Sequence, residues 1–229
     1  MKKIIYIAVL MLLPVCLYAQ KYYEKQIFWT DAQEAQEIRV QNDSTFILFG
    51  NYTTFPANYK WSSYAMQINL QGDSICGRHY EDEEAEQLTI FDATKINGGY
   101  AVPLNVYVDA YHTHTGLQVV DSCGDYSFRS DYVSPLGNTV YYSIARTFDN
   151  GYLIGGNVYP PTVLDFKPYL LKVDAYGTVL WERAYTSVPK NGVIADILPA
   201  ADSSGYFILS SYNSDELTYT LKTRITKIN

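Results

Sequence analysis

Short runs of apolar and aromatic residues recur along the chain from residue 22 onward, each closed by Asp, Asn, Ser or Gly. Runs of this length, rich in Val, Ile, Thr, Tyr and Phe and bounded by turn formers, predict β-strands. After the N-terminus, no stretch keeps a helical apolar period with capping residues. The nearest candidate, Asp31 to Glu37, spans seven residues, too few for a stable helix, and reads as a connector.

The runs repeat. Thr45-Phe46-Ile47-Leu48, Gly99-Tyr100-Ala101-Val102, Gly151-Tyr152-Leu153-Ile154 and Gly205-Tyr206-Phe207-Ile208 align on an aromatic anchor, with spacings of 54, 52 and 54 residues. A second set, Asn69, Asp121, Asp174 and Asn229, follows an apolar residue each time and is spaced 52, 53 and 55 apart. Gly72, Gly124 and Gly177 follow the first three, and then Tyr80, Tyr132 and Tyr185. Independent anchors that keep one period define a tandem repeat.

Each unit predicts four strands, A to D. In the third, A is Tyr141 to Thr147, B is Tyr152 to Val158, C is Tyr169 to Val173 and D is Val179 to Tyr185. Asp149-Asn150-Gly151 and Asp174-Ala175-Tyr176-Gly177 are the A–B and C–D turns. Asp and Asn side chains bond nearby backbone N–H groups there, and Gly supplies positive φ. One four-stranded unit cannot bury both of its faces, so neighbours must stack, with strands B and C forming the core between units. The expected fold is all-β, a β-propeller of about four four-stranded blades near residues 31–86, 87–138, 139–190 and 191–229. An open β-solenoid and a two-sheet sandwich are the competing architectures.

The ends suggest how the ring closes. Tyr23-Glu24-Lys25-Gln26-Ile27 has the ring, acid, base, spacer and apolar pattern of Trp181-Glu182-Arg183-Ala184-Tyr185. Residues 22–28 therefore read as a D strand with no A, B or C before it. The fourth unit has A near Val193 to Leu198, B from Tyr206 to Tyr212 and C within Thr218 to Ile228, and stops where its C–D turn would begin. Pairing of the two would close the ring and cover a sheet edge. The alternative is a fragment of a larger propeller, the truncated part of a longer secreted protein.

The third unit, Phe148-Asp149-Asn150-Gly151-Tyr152-Leu153-Ile154-Gly155-Gly156 with Tyr169-Leu170-Leu171-Lys172-Val173-Asp174-Ala175-Tyr176-Gly177-Thr178-Val179-Leu180-Trp181, resembles the secreted propeller-like repeats of Bacteroidota, loosely DGGYILAG…YLIKTDxxGNxxW. Units one and four match in part, and unit two keeps Gly99-Tyr100 and the Asp121-to-Gly124 turn. The resemblance implies a propeller fold and a secreted or cell-surface setting. It transfers no active site, because the motif is structural. Many such proteins end in a C-terminal sorting domain, and this sequence shows none.

Composition narrows the picture. Lys2 and Lys3 precede an apolar run from Ile4 to Val15 and a small residue at Ala19, the layout of a secretory signal peptide over residues 1–19. The run is too short to span a membrane. Val15 before Cys16 disfavours a lipoprotein site. The expected location is periplasmic, cell-surface or extracellular. A net charge of −7 argues against nucleic acid as a partner. Cys76 and Cys123 fall at different places in different repeats and are expected to be two free, partly buried thiols.

Candidate chemistry is sparse. Glu81-Asp82-Glu83-Glu84-Ala85-Glu86 lacks the spacing of a Ca²⁺ loop and reads as a solvated connector. His112 and His114 have no further ligand set and read as a loop pair rather than a metal site. Phe55, Tyr59, Trp61, Tyr107, Tyr111, Tyr159 and Phe166 lie in or near B–C loops. Of these, Trp61, Tyr107, Tyr111 and Tyr159 are the candidate ligand-binding residues, since exposed rings stack on sugars and peptides. Asp92 and Asp196 lie in A strands, which line a propeller's channel, though at different distances from their anchors. Two such acids are the only hint of glycoside hydrolysis. No catalytic motif, cofactor or metal is implied. The expected function is a secreted, non-catalytic binding or scaffold module for a glycan or a protein, with a glycan-active hydrolase as the rival.

Overall fold

The computed structural model describes residues 32–53, 60–109, 112–161, 165–186, 191–213 and 221–229. The described residues form sixteen strands in four antiparallel meanders, one per repeat, arranged as propeller blades. Blade 1 holds β1 (Ala32–Asn42), β2 (Thr45–Thr53), β3 (Trp61–Asn69) and β4 (Ser74–Tyr80). Blade 2 has an interrupted A strand, β5 (Gln87–Ile90) and β6 (Thr94–Ile96), followed by β7 (Gly99–Tyr107), β8 (Thr113–Val120) and β9 (Tyr126–Tyr132). Blade 3 holds β10 (Asn138–Arg146), β11 (Tyr152–Tyr159), β12 (Lys167–Val173) and β13 (Val179–Ala184). Blade 4 shows β14 (Gly192–Pro199), β15 (Tyr206–Asn213) and β16 (Leu221–Ile228). The expected closure by residues 22–28 lies outside the described residues.

The segment from Asp31 to Glu37 is not a connector. From Ala32 onward it belongs to β1, which pairs with β2 from Ala32↔Thr53 to Asn42↔Thr45. Its composition, Ala, Gln and Glu, favours helix. Pairing along an inner strand that faces a wet channel overrides that preference.

The core lies between blades. Ile47, Phe49 and Ala65 of blade 1 pack on Leu88, Tyr100, Val102 and Leu104 of blade 2. Ala101 and Leu117 pack on Tyr141, Ile154, Tyr169 and Leu171 of blade 3. Leu153 and Leu170 pack on Ile194, Ile197 and Ile208 of blade 4. The turns follow their chemistry. Gly72, Gly124 and Gly177 take φ of 75°, 87° and 82° in the C–D turns. In the A–B turn of blade 3 it is Asn150 that takes positive φ, at 67°. Gly151 is needed for a different reason: a Cβ there would sit 2.2 Å from the Val173 carbonyl oxygen.

Three devices join the first three blades, two of them recurring at both junctions and one found at the first alone. The first is a buried amide. Asn51 Nδ2 donates to the Ile90 carbonyl at 3.0 Å, and its Oδ1 accepts from Ile90 N at 2.7 Å. Asn105 does the same to Tyr141 of blade 3, at 2.9 and 2.7 Å. Ile90 and Tyr141 each stand just before the β-bulge in their A strand, where ladder pairing is broken and backbone groups need other partners. The second is a phenol latch. Tyr80 Oη donates to the Gly124 carbonyl and Tyr132 Oη to the Gly177 carbonyl, both at 2.8 Å.

The third is a disulfide between Cys76 in β4 and Cys123 in the β8–β9 turn, which corrects the expectation of free thiols. The two cysteines sit at different repeat positions. However, the C–D turn of one blade packs on the D strand of the blade before it, and an Arg78–Asp125 ion pair lies beside the bridge.

Asn105→Ala should lower unfolding free energy by about 3 kcal/mol in urea titration, because it leaves two buried backbone groups unpaired. Replacing both cysteines by serine removes a cross-link across a sequence separation of 47 residues. It should lower stability by up to about 4 kcal/mol, read in the same titration without reductant.

Candidate functional site

Each A strand carries a one-residue bulge. Register shifts lie between Ala35 and Glu37, Tyr141 and Ser143, and Ile194 and Asp196. In blade 2 the shift falls between Ile90↔Leu104 and Thr94↔Ala101, where β5 stops and β6 begins. A bulge re-aims side chains and bends the strand. Here it turns Glu37, Asp92, Ser143 and Asp196 toward one cavity of about 700 Å³ lined by all four A strands. Asp92 and Asp196 are therefore structurally equivalent, contrary to the spacing argument. Asp92 is eight residues before Tyr100 and Asp196 ten before Tyr206, because the intervening A–B turns differ in length.

Asp92 is fully engaged. Its Oδ1 accepts from Arg39 Nη2 and from Ala93 N, both at 2.7 Å, and its Oδ2 accepts from Ile144 N at 2.9 Å. One buried carboxylate thus joins blades 1, 2 and 3. Asp196 Oδ1 accepts from Ile197 N at 2.8 Å and from Ser143 Oγ at 3.2 Å, joining blades 3 and 4. Glu37 is the acid that the sequence reading missed. It lies 3.2 Å from Arg39 Nε. Burial pushes its carboxyl above the ordinary range, Arg39 opposes this, and the charges of Asp92 and Asp196 add to the rise.

The bulge residues themselves contribute rings. Phe91 and Tyr142 pack with centroids 5.4 Å apart. Tyr142 lines the lower cavity and also a second one, of about 530 Å³, between blades 2 and 3 at their B–C-loop end. That upper chamber is walled by Tyr107, Tyr142 and Tyr159, with Glu86, Asp109 and Asn138 at its rim. Burial, then the neighbouring Tyr159 and Tyr107, raises the Tyr142 phenol to about 12. Tyr159 also packs on Phe166 at 5.2 Å.

Of the four rings proposed from sequence, Tyr107 and Tyr159 thus share one chamber. Trp61 opens β3, opposite Thr53, and does not line it. Tyr111 lies outside the described residues. Tyr142, which completes the wall, carried no sequence signal apart from being an aromatic in an A strand.

The remaining candidates separate. His112 Nδ1 contacts Asp109 Oδ2 at 2.7 Å in an exposed loop. Burial lowers the His114 imidazole within β8. In the acidic connector, Tyr52 Oη donates to Glu81 at 2.8 Å and Arg129 pairs with Asp82 at 2.8 Å. Among the described residues no group of three or more His, Cys, Asp or Glu forms a metal cluster, and no helix is long and apolar enough to cross a membrane.

No family model matches the chain, and no curated protein matches it. Among solved structures, the endo-arabinase from Bacteroides thetaiotaomicron VPI-5482 is similar, with a TM-score of 0.50 and 11% identity over 92% of this chain and 78% of that one. The likeness is one of fold.

Asp92→Ala should behave as a folding mutation. Freeing Arg39 and two backbone N–H groups should lower stability by about 3 kcal/mol in a denaturant titration. Asp196→Ala, at a half-buried carboxylate, should lower it by about 1 kcal/mol.

Proposed function

We propose that the protein is an exported carbohydrate-binding propeller that holds its ligand in the upper chamber, between blades 2 and 3. The convergence of Tyr107, Tyr142 and Tyr159 on one concave groove carries this reading. Sugars present flat C–H faces that stack on phenol rings, and the rigid blades hold those rings in place at low entropic cost. The Cys76–Cys123 bridge and the apolar N-terminal run support passage to an oxidising compartment. The similar solved structure is an endo-arabinase, so arabinan joins xylan, mannan and β-glucans in the first binding panel.

Tyr142→Ala should weaken binding of the recognised glycan by about tenfold or more, measured by calorimetry, with the far-ultraviolet spectrum unchanged. Unaltered affinity in Tyr142→Ala and Tyr159→Ala together would sink this assignment. A folded protein silent across the panel but retained by a surface protein would point to protein recognition instead.

One observation favours a second reading, glycoside hydrolysis in the lower cavity. Glu37 has the raised pKa a general acid needs, and Asp196 lines the same cavity. A raised carboxyl must be protonated to act, so turnover should decline as pH rises through the Glu37 pKa. Release of reducing ends should disappear in Glu37→Gln while glycan affinity persists. Turnover that survives in Glu37→Gln would exclude this role.

A further inference from the structure

We infer that the A–B-turn end of the lower cavity is a binding site for an acidic sugar, a uronate whose carboxylate sits between Lys95 and Arg146 while its hydroxyls reach the acids farther in. The site is separate from the upper chamber and does not depend on the reading given to that chamber.

Charge in the lower cavity is layered along the A strands. Glu37, Asp92, Ser143 and Asp196 form one layer. Two or three residues later in the same strands come Arg39, Lys95 and Arg146, which also line the cavity. At the rise of a strand the second layer lies roughly 7 to 10 Å nearer the A–B turns. Lys95 and Arg146 hold the same place in adjacent blades, each across from the aromatic anchor of its B strand, Tyr100 or Tyr152. Val40 and Pro199 stand there in blades 1 and 4, so no acid shares that layer.

The three cations are not equally occupied. Arg39 is taken up by Asp92 and Glu37. The Lys95 ammonium donates to the backbone carbonyls of Val40 and Gln41, at 3.2 and 2.6 Å, and Arg146 Nη2 donates to the Asn150 amide oxygen at 2.8 Å. All of these acceptors are neutral. A lysine has three donors and an arginine five, so both keep N–H groups to offer. The acids of the A–B turns do not compensate them. Asp149 pairs with Lys172, Asp202 accepts from Ser204 N, and neither these nor Asp43 lines the cavity.

An arginine fork beside a lysine suits a carboxylate, and charge-assisted bonds of this kind are about twice as strong as neutral ones. The inner layer asks for the opposite chemistry. Asp196 Oδ1 is engaged by Ile197 N and Ser143 Oγ, while Oδ2 has no hydrogen-bond partner among the described residues. It accepts hydrogen bonds and repels anions. A ligand that fits both layers is anionic at one end and carries hydroxyl donors at the other, as a uronate does. A cavity of about 700 Å³ has room for a short oligomer.

The test uses the full chain and calorimetry with short oligomers of galacturonic, glucuronic and mannuronic acid, each beside its carboxyl-reduced, neutral form. At least one acidic oligomer should bind, about tenfold or more tightly than its reduced form, and the difference should shrink severalfold at about 500 mM salt. Arg146→Gln and Lys95→Gln should each weaken it about tenfold, with thermal unfolding measured to confirm the fold. Tyr159→Ala, which alters the upper chamber alone, should leave it unchanged.

Failure of all three acidic oligomers would overturn the inference and leave the upper-chamber reading untouched. Binding that survives in both cation variants, or is lost in Tyr159→Ala, would overturn the location. Inorganic phosphate bound as tightly as the oligomer would overturn the sugar assignment, since the inner layer would then contribute nothing.

Discussion

The A-strand bulge is the constraint on which the rest of this molecule depends. A bulge breaks ladder pairing on an A strand, and where that strand is buried, as at Ile90 and Tyr141, its N–H and C=O groups must find other partners. Asn51 and Asn105 meet that need with both ends of one amide, reaching from the B strand of one blade to the residue before the bulge in the next. Burial strengthens these bonds and makes their loss expensive. They fix the spacing and rotation of adjacent blades more directly than the apolar contacts around them, which are non-directional. Blade 3 carries Asn157 at the matching position, with Oδ1 buried and unpartnered among the described residues. That interface relies more on Ser143 and Asp196.

The same bulges make the channel chemically distinctive. Without them, strict alternation would continue each A strand's inward and outward pattern unchanged. The extra residue shifts the parity. It places Phe91 and Tyr142 against one another and aims Glu37, Asp92, Ser143 and Asp196 into a shared cavity. The acids then divide by environment rather than by type. Asp92 is consumed by Arg39 and two backbone N–H groups. Glu37, with a weaker set of compensating contacts, is left with a raised carboxyl pKa. A pair of acids picked from sequence thus contained one structural clamp and omitted Glu37, the cavity acid whose carboxyl is raised by burial.

Farther from the axis, blades are joined by specific polar contacts of turns on strands. Tyr80 and Tyr132 hold the following C–D turns through glycine carbonyls, and the disulfide reinforces the first of these junctions. Gly124 and Gly177 leave no room for a larger residue: a Cβ on either would stand within 3 Å of the phenol that bonds its carbonyl. The period of aromatic and glycine anchors in the sequence is therefore the trace of one contact made twice. The cysteines escaped the same reasoning because they were compared within a repeat, whereas the bond forms between one repeat's strand and the next one's turn.

Periodicity alone determined the all-β character, the number of repeats, the position of strands B, C and D and the chemistry of the C–D turns, because each depends on local residue type recurring at a fixed interval. The Asn51, Asn105 and Asn157 series was also present at that interval, five residues after each anchor, although nothing local marks a mid-strand Asn as a cross-blade staple. Four features were decided only by the tertiary structure: β1 as a strand despite helix-favouring residues, the equivalence of Asp92 and Asp196, the Cys76–Cys123 bond, and the meeting of Tyr107, Tyr142 and Tyr159 in one chamber. Each depends on register or on a contact between blades. A one-residue bulge leaves no mark in composition, yet it reverses which side chains face the channel.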